Sequence, residues 1–174
     1  MGVKSVMDHA GKAVLKAMGA EPDVADQDLL DTLHTEHQEV KGLLEDLQVA
    51  DTAAQRRALV NKIRYALVPH SKSEEKVLYA AIIALKDKDA QADGHEGNLE
   101  HDLAAKTLQK LVGITNASSP EHKATAKVLK ELVEHHIREE EGNVWSDARQ
   151  HFSDEERVRM NRRYLIGKTR VKVP

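Results

Sequence analysis

The sequence predicts an all-α protein: an up-down antiparallel four-helix bundle with a short helix before it and a short helix plus basic tail after it. Helix-forming residues dominate the 174-residue chain, which contains only 9 glycines and 4 prolines. Apolar residues recur every three or four positions, the period of an amphipathic α-helix. Four long segments of this kind are separated by short breaks, and short connections favour antiparallel packing of neighbouring helices.

The first element is a short amphipathic helix within residues 1–22, which the proline-containing stretch at 21–23 ends. We expect it to pack across one end of the bundle, where it is a candidate contact for a homodimer. The first long helix is predicted over 24–50 and the second over 52–86. Pro69 predicts a kink in the second helix, because proline removes a backbone donor and crowds the preceding turn.

The polar stretch from Asp87 to Gly97 contains two glycines and predicts a loop. The third helix is then marked by the apolar positions Leu99, Leu103, Leu108, Leu111 and Val112. Ser119 followed by Pro120 predicts the start of the fourth helix, which continues to about Gln150. The bundle is therefore assigned to residues 23–152.

Residues 153–174 are predicted to form a short helix, started by the capping box of Ser153 and Glu156, and a basic tail. Seven basic residues and no acidic residue occur from Arg157 onward, although the whole chain has a formal charge of −3. Such a tail can bind nucleic acid or an acidic partner, fold back on its own acidic body, or remain solvated. We expect one of the last two arrangements and do not expect nucleic-acid binding, because no aromatic residue beyond Tyr164 accompanies the tail to stack on bases.

Composition excludes several classes of function. Cysteine is absent, which excludes disulfides, thiolate zinc sites, iron–sulfur clusters and cysteine nucleophiles. P-loop, Rossmann and Gly-x-Ser-x-Gly motifs are absent as well. Neither a signal peptide nor a long apolar run is present, so we expect a cytoplasmic protein without membrane contact. The unusual number is ten histidines.

The histidines belong to an approximate internal duplication. Each half has a Glu-His pair on its first helix and a His-x-x-x-Glu-Glu block on its second. Such a block, repeated at matched spacing, is far less expected by chance than any single histidine. The halves match position by position: His37 with His101, His70 with His136, Glu74 with Glu140, and Tyr79 with Trp145.

The spacing has a chemical consequence, because residues i and i+4 lie one turn apart on one helix face. Two such halves packed face to face would bring four imidazoles and two carboxylates together, and bundle interiors are where such sites are built. Without thiolates, this mixed ligand set suits iron best, with manganese or zinc less favoured.

Four segments resemble the helices of hemerythrin-like domains of the HHE cation-binding type: LHTEHQEVKGLLEDL, VPHSKSEEKVLY, EHDLAAKTLQKL and VEHHIREEEGNVW. The resemblance covers roughly residues 24–152 and depends on the order and spacing of these segments. It implies an up-down four-helix bundle that holds a non-haem di-iron centre, oxo- or hydroxo-bridged. Carried over position by position, it implies two bridging glutamates within the ligand set His37, His70, Glu74, His101, His136 and Glu140.

Two ligand positions leave an alternative open. The first-helix ligand could be His34 instead of His37, and we prefer His37 because it follows a glutamate, as the third-helix histidine does. The fourth-helix ligand could be His135, with Glu139, instead of His136. We prefer His136 because it precedes an aromatic residue by nine positions, as the second-helix histidine does.

The sequence departs from oxygen-carrying hemerythrins at two ligand positions. Those proteins have a second histidine one turn after the third-helix ligand, where this chain has Ala105. Their fourth-helix motif ends in an aspartate at +5, whereas glutamates stand at +4 and +5 here. The site therefore has one imidazole fewer, which argues against reversible oxygen carriage. Water, peroxide or one of four side chains could fill the position: Tyr65, Tyr79, His34 or Glu75.

Three functional hypotheses follow. The favoured one is a di-iron protein that binds or senses oxygen, iron or nitric oxide. The second is a di-iron enzyme that consumes peroxide in a catalase-like reaction or repairs oxidative or nitrosative damage. The third is a helical interaction module with incidental histidines. Ferritin-like di-iron proteins use Glu-x-x-His, and they are excluded because no histidine here has a glutamate three residues before it.

Overall fold

The computed structural model describes residues 27–174, which form helices and connecting turns and contain no strand. The helix predicted within residues 1–22 lies outside the described residues. The α-helices are α1 (Leu29–Val49), α2 (Ala53–Glu74), α3 (Ala80–Ile83), α4 (Lys88–Gly113), α5 (Pro120–Glu139), α6 (Trp145–His151) and α7 (Asp154–Arg170). Two π-helical turns make continuous rods: Glu75–Tyr79 joins α2 to α3, and Glu140–Val144 joins α5 to α6.

Polar side chains start two helices where the sequence predicts. Ser119 accepts a hydrogen bond from the backbone N–H of His122, and Pro120 begins α5, which confirms the predicted start of the fourth helix. The capping box of Ser153 and Glu156 likewise starts the last helix. That helix, α7, is longer than predicted, because its 17 residues include most of the basic tail.

The loop predicted from Asp87 to Gly97 is wrong, because α4 begins at Lys88 and runs through this stretch. The Asp87 side chain accepts two backbone hydrogen bonds and caps the helix. Gly97 is a point of close packing between helices, since a Cβ there would lie 2.6 Å from Cζ of Tyr79. The glycine therefore makes room for a neighbouring side chain inside a helix.

The apolar face predicted for the third helix is also partly wrong. Three of the residues that mark it are exposed: Leu99, Leu103 and Val112. The first half of the buried face of α4 consists of small residues. The buried residues of the whole helix are Ala90, Gly94, Gly97, His101, Ala104, Leu108 and Leu111. Large apolar residues therefore indicate the wrong face where the helix packs through small ones.

The described helices form a four-helix bundle with a fifth helix along its side. α1 and α4 each pack against both α2 and α5, and α7 lies along α2 and α1. Nε of Arg157 lies 2.7 Å from Oδ2 of Asp28, and Nζ of Lys168 lies 2.6 Å from Oε1 of Glu36. The C-terminal segment thus folds back on the acidic body, which is one of the two arrangements that the sequence left open.

The core has two apolar layers, and the space between them positions the candidate site. One layer includes Leu33, Leu78 and Trp145, and the other includes Leu44 and Leu129. The bundle has four rods, which are α1, α2 with α3, α4, and α5 with α6. Each rod carries histidines or glutamates where it crosses the space between the two layers. Within residues 27–174, none of the helices combines the length and the apolar composition needed to cross a membrane.

Candidate metal centre

The six residues predicted as metal ligands lie together in the middle of the bundle. All six are at most 5% exposed. Burial of so many ionisable groups is unfavourable unless they pair with one another or bind a metal. They are His37 from α1, His70 and Glu74 from α2, His101 from α4, and His136 and Glu140 from α5 and the turn that follows it.

The four imidazoles turn Nε2 towards the two central carboxylates. Oε2 of Glu74 lies 3.3 Å from Nε2 of His70 and 3.5 Å from Nε2 of His101. Oε2 of Glu140 lies 3.3 Å and 3.4 Å from the corresponding atoms of the α1 and α5 histidines. Each carboxylate therefore faces one histidine from each half of the sequence.

The other ring nitrogen, Nδ1, of each imidazole meets a second carboxylate at the edge of the site. We call these carboxylates the outer glutamates. Glu141, Glu36 and Glu100 accept the Nδ1 hydrogen of their histidines, which fixes the tautomer that leaves the Nε2 lone pair facing inward. Glu75 faces Nδ1 of His101 at ion-pair distance without forming a hydrogen bond among the described residues. The pairs, with the distances from Nδ1 to oxygen, are His37–Glu141 (3.0 Å), His70–Glu36 (3.0 Å), His101–Glu75 (3.5 Å) and His136–Glu100 (2.8 Å).

None of the outer glutamates is among the predicted ligands, although the sequence contains a signal for them. Each stands next to a ligand, in a Glu-His or a Glu-Glu pair. Pairs at matching positions in the two halves indicate that the neighbouring residue is used as well. Which imidazole each glutamate supports depends on how the helices pack, and this could not be read from the pairs themselves.

The residues present fit a metal centre of one or two ions. Both oxygens of Glu74, Oε2 of Glu140 and Nε2 of His37 are buried without a hydrogen-bond partner among the described residues. Such atoms are costly to bury, and a metal ion with mixed imidazole and carboxylate ligands satisfies them together. Three sets of potential ligand atoms lie within 4.8 Å of one another: His37, His70 and Glu140; His70, Glu74 and His101; and Glu74, His136 and Glu140.

Burial and neighbouring charges set the protonation of the metal-free cluster. Burial opposes protonation of His136, but hydrogen bonds to Glu100 and Glu140 outweigh it and raise the pKa to about 10. Burial lowers the pKa of His101 to about 4. Burial and the charge of Glu140 raise the pKa of Glu74 well above its usual value. A metal ion would therefore displace protons from this cluster.

The geometry agrees with the sequence comparisons. The family model described as the hemerythrin HHE cation binding domain matches residues 28–146, which include all six predicted ligands. The chain belongs to this family. A curated relative named "DNA nickase", from Nostoc sp. (strain PCC 7120), is 24% identical over 159 residues, which are 91% of this chain and 44% of that protein. The chain therefore spans less than half the length of that relative. No solved structure was found to match the chain.

Two π turns reorient aromatic residues towards the centre of this HHE domain. Tyr79 and Trp145 each follow a histidine by nine residues, which in a straight α-helix would place them about 180° away from it. The extra residue of a π turn sets the helix back by about 100°, so both side chains turn inward. Nε1 of Trp145 donates to Oε1 of Glu140 at 3.3 Å, and its ring stacks on His37. The regular α-helix of the α2–α3 rod is interrupted at the π turn Glu75–Tyr79. Pro69, at which the sequence predicts a kink, lies within α2.

Tyr79 lies beside the α4 ligand of the HHE domain. Its ring centroid is 5.3 Å from that of His101, and its buried hydroxyl has no hydrogen-bond partner among the described residues. Burial and the charge of Glu140 raise the pKa of Tyr79 well above its usual value, so the phenol stays protonated. A narrow cleft runs between α4 and the second π turn from the exposed Glu96 to Tyr79 and His136. The cleft has a volume of about 10 Å³, which is room for about one water molecule.

The other side chains considered for the position left by Ala105 lie farther from the centre. Tyr65 is 62% exposed on the outside of α2. Glu75 is occupied with the outer nitrogen of the α4 histidine. The two histidines left out of the predicted ligand set, His34 and His135, have half-exposed side chains. Of the four candidates, Tyr79 is the one that lies buried against a predicted ligand.

α7 reaches this centre from outside the bundle, a contact that the sequence does not predict. The Tyr164 hydroxyl donates to Oε2 of Glu36 at 2.6 Å and lies 3.1 Å from Nδ1 of His70. Burial would raise the pKa of Glu36, but the hydrogen bond from His70 and the charge of Lys168 lower it to about 2. The fifth helix thus supports the outer glutamate that orients the α2 histidine.

Proposed function

We propose that this protein is a non-haem di-iron-binding domain that binds or senses oxygen, nitric oxide or iron. One observation carries the proposal: four imidazoles turn Nε2 towards two carboxylates whose oxygens are mostly without other partners. A ligand set of imidazoles and carboxylates without thiolates suits iron. Membership of the HHE family supports a cation at this place.

In this proposal the four histidines and the two central carboxylates, Glu74 and Glu140, would hold the ions together. Bound iron would supply the binding or redox chemistry of small oxygen and nitrogen species. Three of the outer glutamates keep the Nε2 lone pairs of their histidines directed inward. The two apolar layers exclude water, and the cleft beside Tyr79 limits the size of the ligand that can enter.

A second candidate is a peroxide-consuming enzyme at the same site, and the unpartnered hydroxyl of Tyr79 favours it. A protonated phenol at the inner end of the cleft can donate a hydrogen bond to a small substrate and so position it. Ala105, one turn after the α4 ligand, adds no further imidazole. The site would thus place a hydrogen-bond donor beside a substrate held at the predicted ligands.

Iron content per chain tests the main proposal. It is measured by elemental analysis after anaerobic ferrous loading, together with the absorbance spectrum. We expect about two irons per chain and near-ultraviolet absorption. His136→Gln should lower the iron content to about one or less, whereas His135→Gln, one residue away and half-exposed, should leave it unchanged. An iron-free wild type, or equal loss in both variants, would contradict the proposal and favour a helical interaction module.

Peroxide decay distinguishes the two candidates in the iron-loaded protein. Turnover that falls at least about tenfold in Tyr79→Phe supports the enzyme, because a positioned hydrogen-bond donor contributes at least that much. Stoichiometric binding of nitric oxide or oxygen without peroxide turnover supports the binding or sensing function.

A further inference from the structure

The outer surface of α2 is basic along its whole length. Every charged residue of α2 before its final glutamate is a lysine or an arginine. Lys62 and Lys72 are exposed, and so is Lys76 in the π turn that follows. One carboxylate, that of Glu75, pairs with Lys72 at 2.9 Å. The other acidic residue of this rod, Glu74, is buried inside the bundle.

α7 adds a second row of basic residues directly beside α2. The two helices lie close together, since a Cβ at Gly167 would be 3.3 Å from Oγ of Ser73. Arg159, Arg163 and Arg170 are all exposed, and their spacing of four and seven residues places them on one face of the helix. Nη2 of Arg159 lies 3.9 Å from Oε1 of Glu156, which is in the first turn of the same helix.

The basic residues of α7 therefore have two different uses. Arg157 and Lys168 face the bundle, where they pair with Asp28 and Glu36. Among the described residues, Arg159, Arg163 and Arg170 make no comparable contact with the bundle. Because the two helices pack side by side, we group their outward basic residues under one name, the basic face: Lys62, Lys72, Lys76, Arg159, Arg163 and Arg170.

An aromatic side chain lies on this surface. Tyr65 of α2 is 62% exposed, and the guanidinium of Arg64 lies 5.5 Å from its ring centroid. Tyr65 also lines a groove between α1, α2 and the end of α7, together with Lys62 and Lys168. Glu36 and Glu39 border the same groove, and Glu36 is already bonded to Lys168. Tyr164, the aromatic residue of α7 itself, is fully buried and could not serve.

We propose that the basic face binds single-stranded nucleic acid, with phosphates along the arginines and lysines and a base stacked on Tyr65. Positive grooves with an exposed aromatic residue are the usual means of binding single strands without sequence preference. The whole chain has a formal charge of −3, so the residues outside the basic face together carry a net negative charge. An anionic membrane is a poorer fit, because a membrane-bound helix buries its apolar face in lipid and that face of α7 packs on the bundle.

This inference is independent of iron binding, since no member of the basic face is a predicted ligand. It is tested with the full chain by fluorescence anisotropy, with a labelled oligothymidylate of about 15 nucleotides. The triple variant Arg159→Gln, Arg163→Gln, Arg170→Gln should weaken binding at least about tenfold and flatten its salt dependence. Tyr65→Ala should weaken binding about tenfold without changing the salt dependence.

The matched control is the variant Lys106→Gln, Lys110→Gln, Lys127→Gln, which removes three exposed lysines from α4 and α5 and should bind like the wild type. Circular dichroism and iron content verify that each variant is folded. No binding at low salt, or equal weakening by the control, would overturn the proposal. Equal affinity for a duplex with no effect of Tyr65→Ala would overturn the single-strand assignment, as would binding to phosphatidylglycerol vesicles that oligothymidylate does not displace.

Discussion

Glu36 illustrates how residues adjacent to the ligands are used. It precedes His37 in the sequence, yet its carboxylate accepts the Nδ1 hydrogen of His70 on the next helix. Glu100 likewise precedes one ligand and supports His136, on the neighbouring rod. Each of these two glutamates orients an imidazole and joins two helices at the same time. A single Glu-His pair therefore supplies a predicted ligand, its histidine, and a hydrogen-bond acceptor for a histidine on another helix.

Replacement of Glu100 by Gln keeps an acceptor for Nδ1 of His136 but removes its negative charge. We expect iron affinity to fall about 10- to 100-fold, the usual effect of losing such a partner, as measured by competition with a chelator. Glu121→Gln removes an exposed carboxylate at the far end of α5, the helix that carries His136, and should have no effect. Equal losses in both variants would mean that general charge, and not the orienting hydrogen bond, sets the affinity.

Tyr79→Phe removes a buried hydroxyl that has no hydrogen-bond partner among residues 27–174. Because such a group destabilises the fold by about 1–3 kcal/mol, we expect the Tm of the metal-free variant to rise by about 2–4 °C or more. Tyr164→Phe is the matched control, since its hydroxyl donates to Glu36 and its loss should lower the Tm. A lower Tm for Tyr79→Phe in a thermal melt would show that this hydroxyl already has a partner.

At the scale of the elements, α4 and the first π turn depend on each other. The π turn directs the Tyr79 ring inward, and Gly97 leaves the space that the ring occupies. The distance between packed helices is set by the side chains at their contact. The absence of a side chain at Gly97 therefore lets α4 approach the rod that carries the α2 ligands.

Gly97→Ala tests this dependence. The added methyl would lie 2.6 Å from Cζ of Tyr79, so we expect a loss of about 1–3 kcal/mol from overpacking. Gly42→Ala in α1 is the control, because no atom of the part of the chain that the structure describes lies within 4 Å of its added Cβ. Alanine is the better helix former, so the control should gain about 1 kcal/mol. Denaturant unfolding of the metal-free variants measures both, and a gain in both would show that the Tyr79 ring can move aside.

At the scale of the whole molecule, the candidate centre is the place where side chains from all four rods of the bundle meet. The predicted ligands come from all four rods and meet between the two apolar layers. An unfolded chain does not hold these side chains together, so a metal ion binds the folded state in preference. Metal binding should therefore raise the stability of the entire bundle.

Metal uptake by the whole protein should depend on pH. The pKa of His136 is raised from 6.5 to about 10, so its proton stabilises the metal-free fold below about pH 6.5, and that contribution is lost as the pH rises through 10. A metal ion must displace this proton, so the apparent affinity should increase from about pH 6 to pH 8 with release of protons. Calorimetric titration in buffers of different ionisation enthalpy measures that release. An affinity independent of pH would contradict the expectation.

Much of the site could be predicted because helix geometry is local. The i, i+4 spacing of His70 and Glu74, and its repetition in the second half, are sufficient to predict that six side chains meet, and the structure brings them together. Their role as iron ligands stays a prediction for the loading experiment. The helix start at Ser119 is equally local, since a cap and a following proline act within one turn.

The features that were not predicted depend on contacts between helices. Gly97 resembles a loop residue until the ring of Tyr79 is placed against it. The π turns leave no clear mark in the sequence, and they change which side of the helix Trp145 faces. The length of α7 and the contact of Tyr164 with Glu36 are tertiary in the same way, because the partner lies 128 residues away.

The outer glutamates also have an electronic consequence. A carboxylate that draws the Nδ1 proton towards itself gives the imidazole partial imidazolate character, which makes Nε2 a stronger electron donor. Strong donors stabilise the more highly charged oxidation state of a metal. Three imidazoles supported in this way, with two carboxylates between them, would lower the reduction potential of bound iron. We therefore expect the ferric form to be the resting form in air.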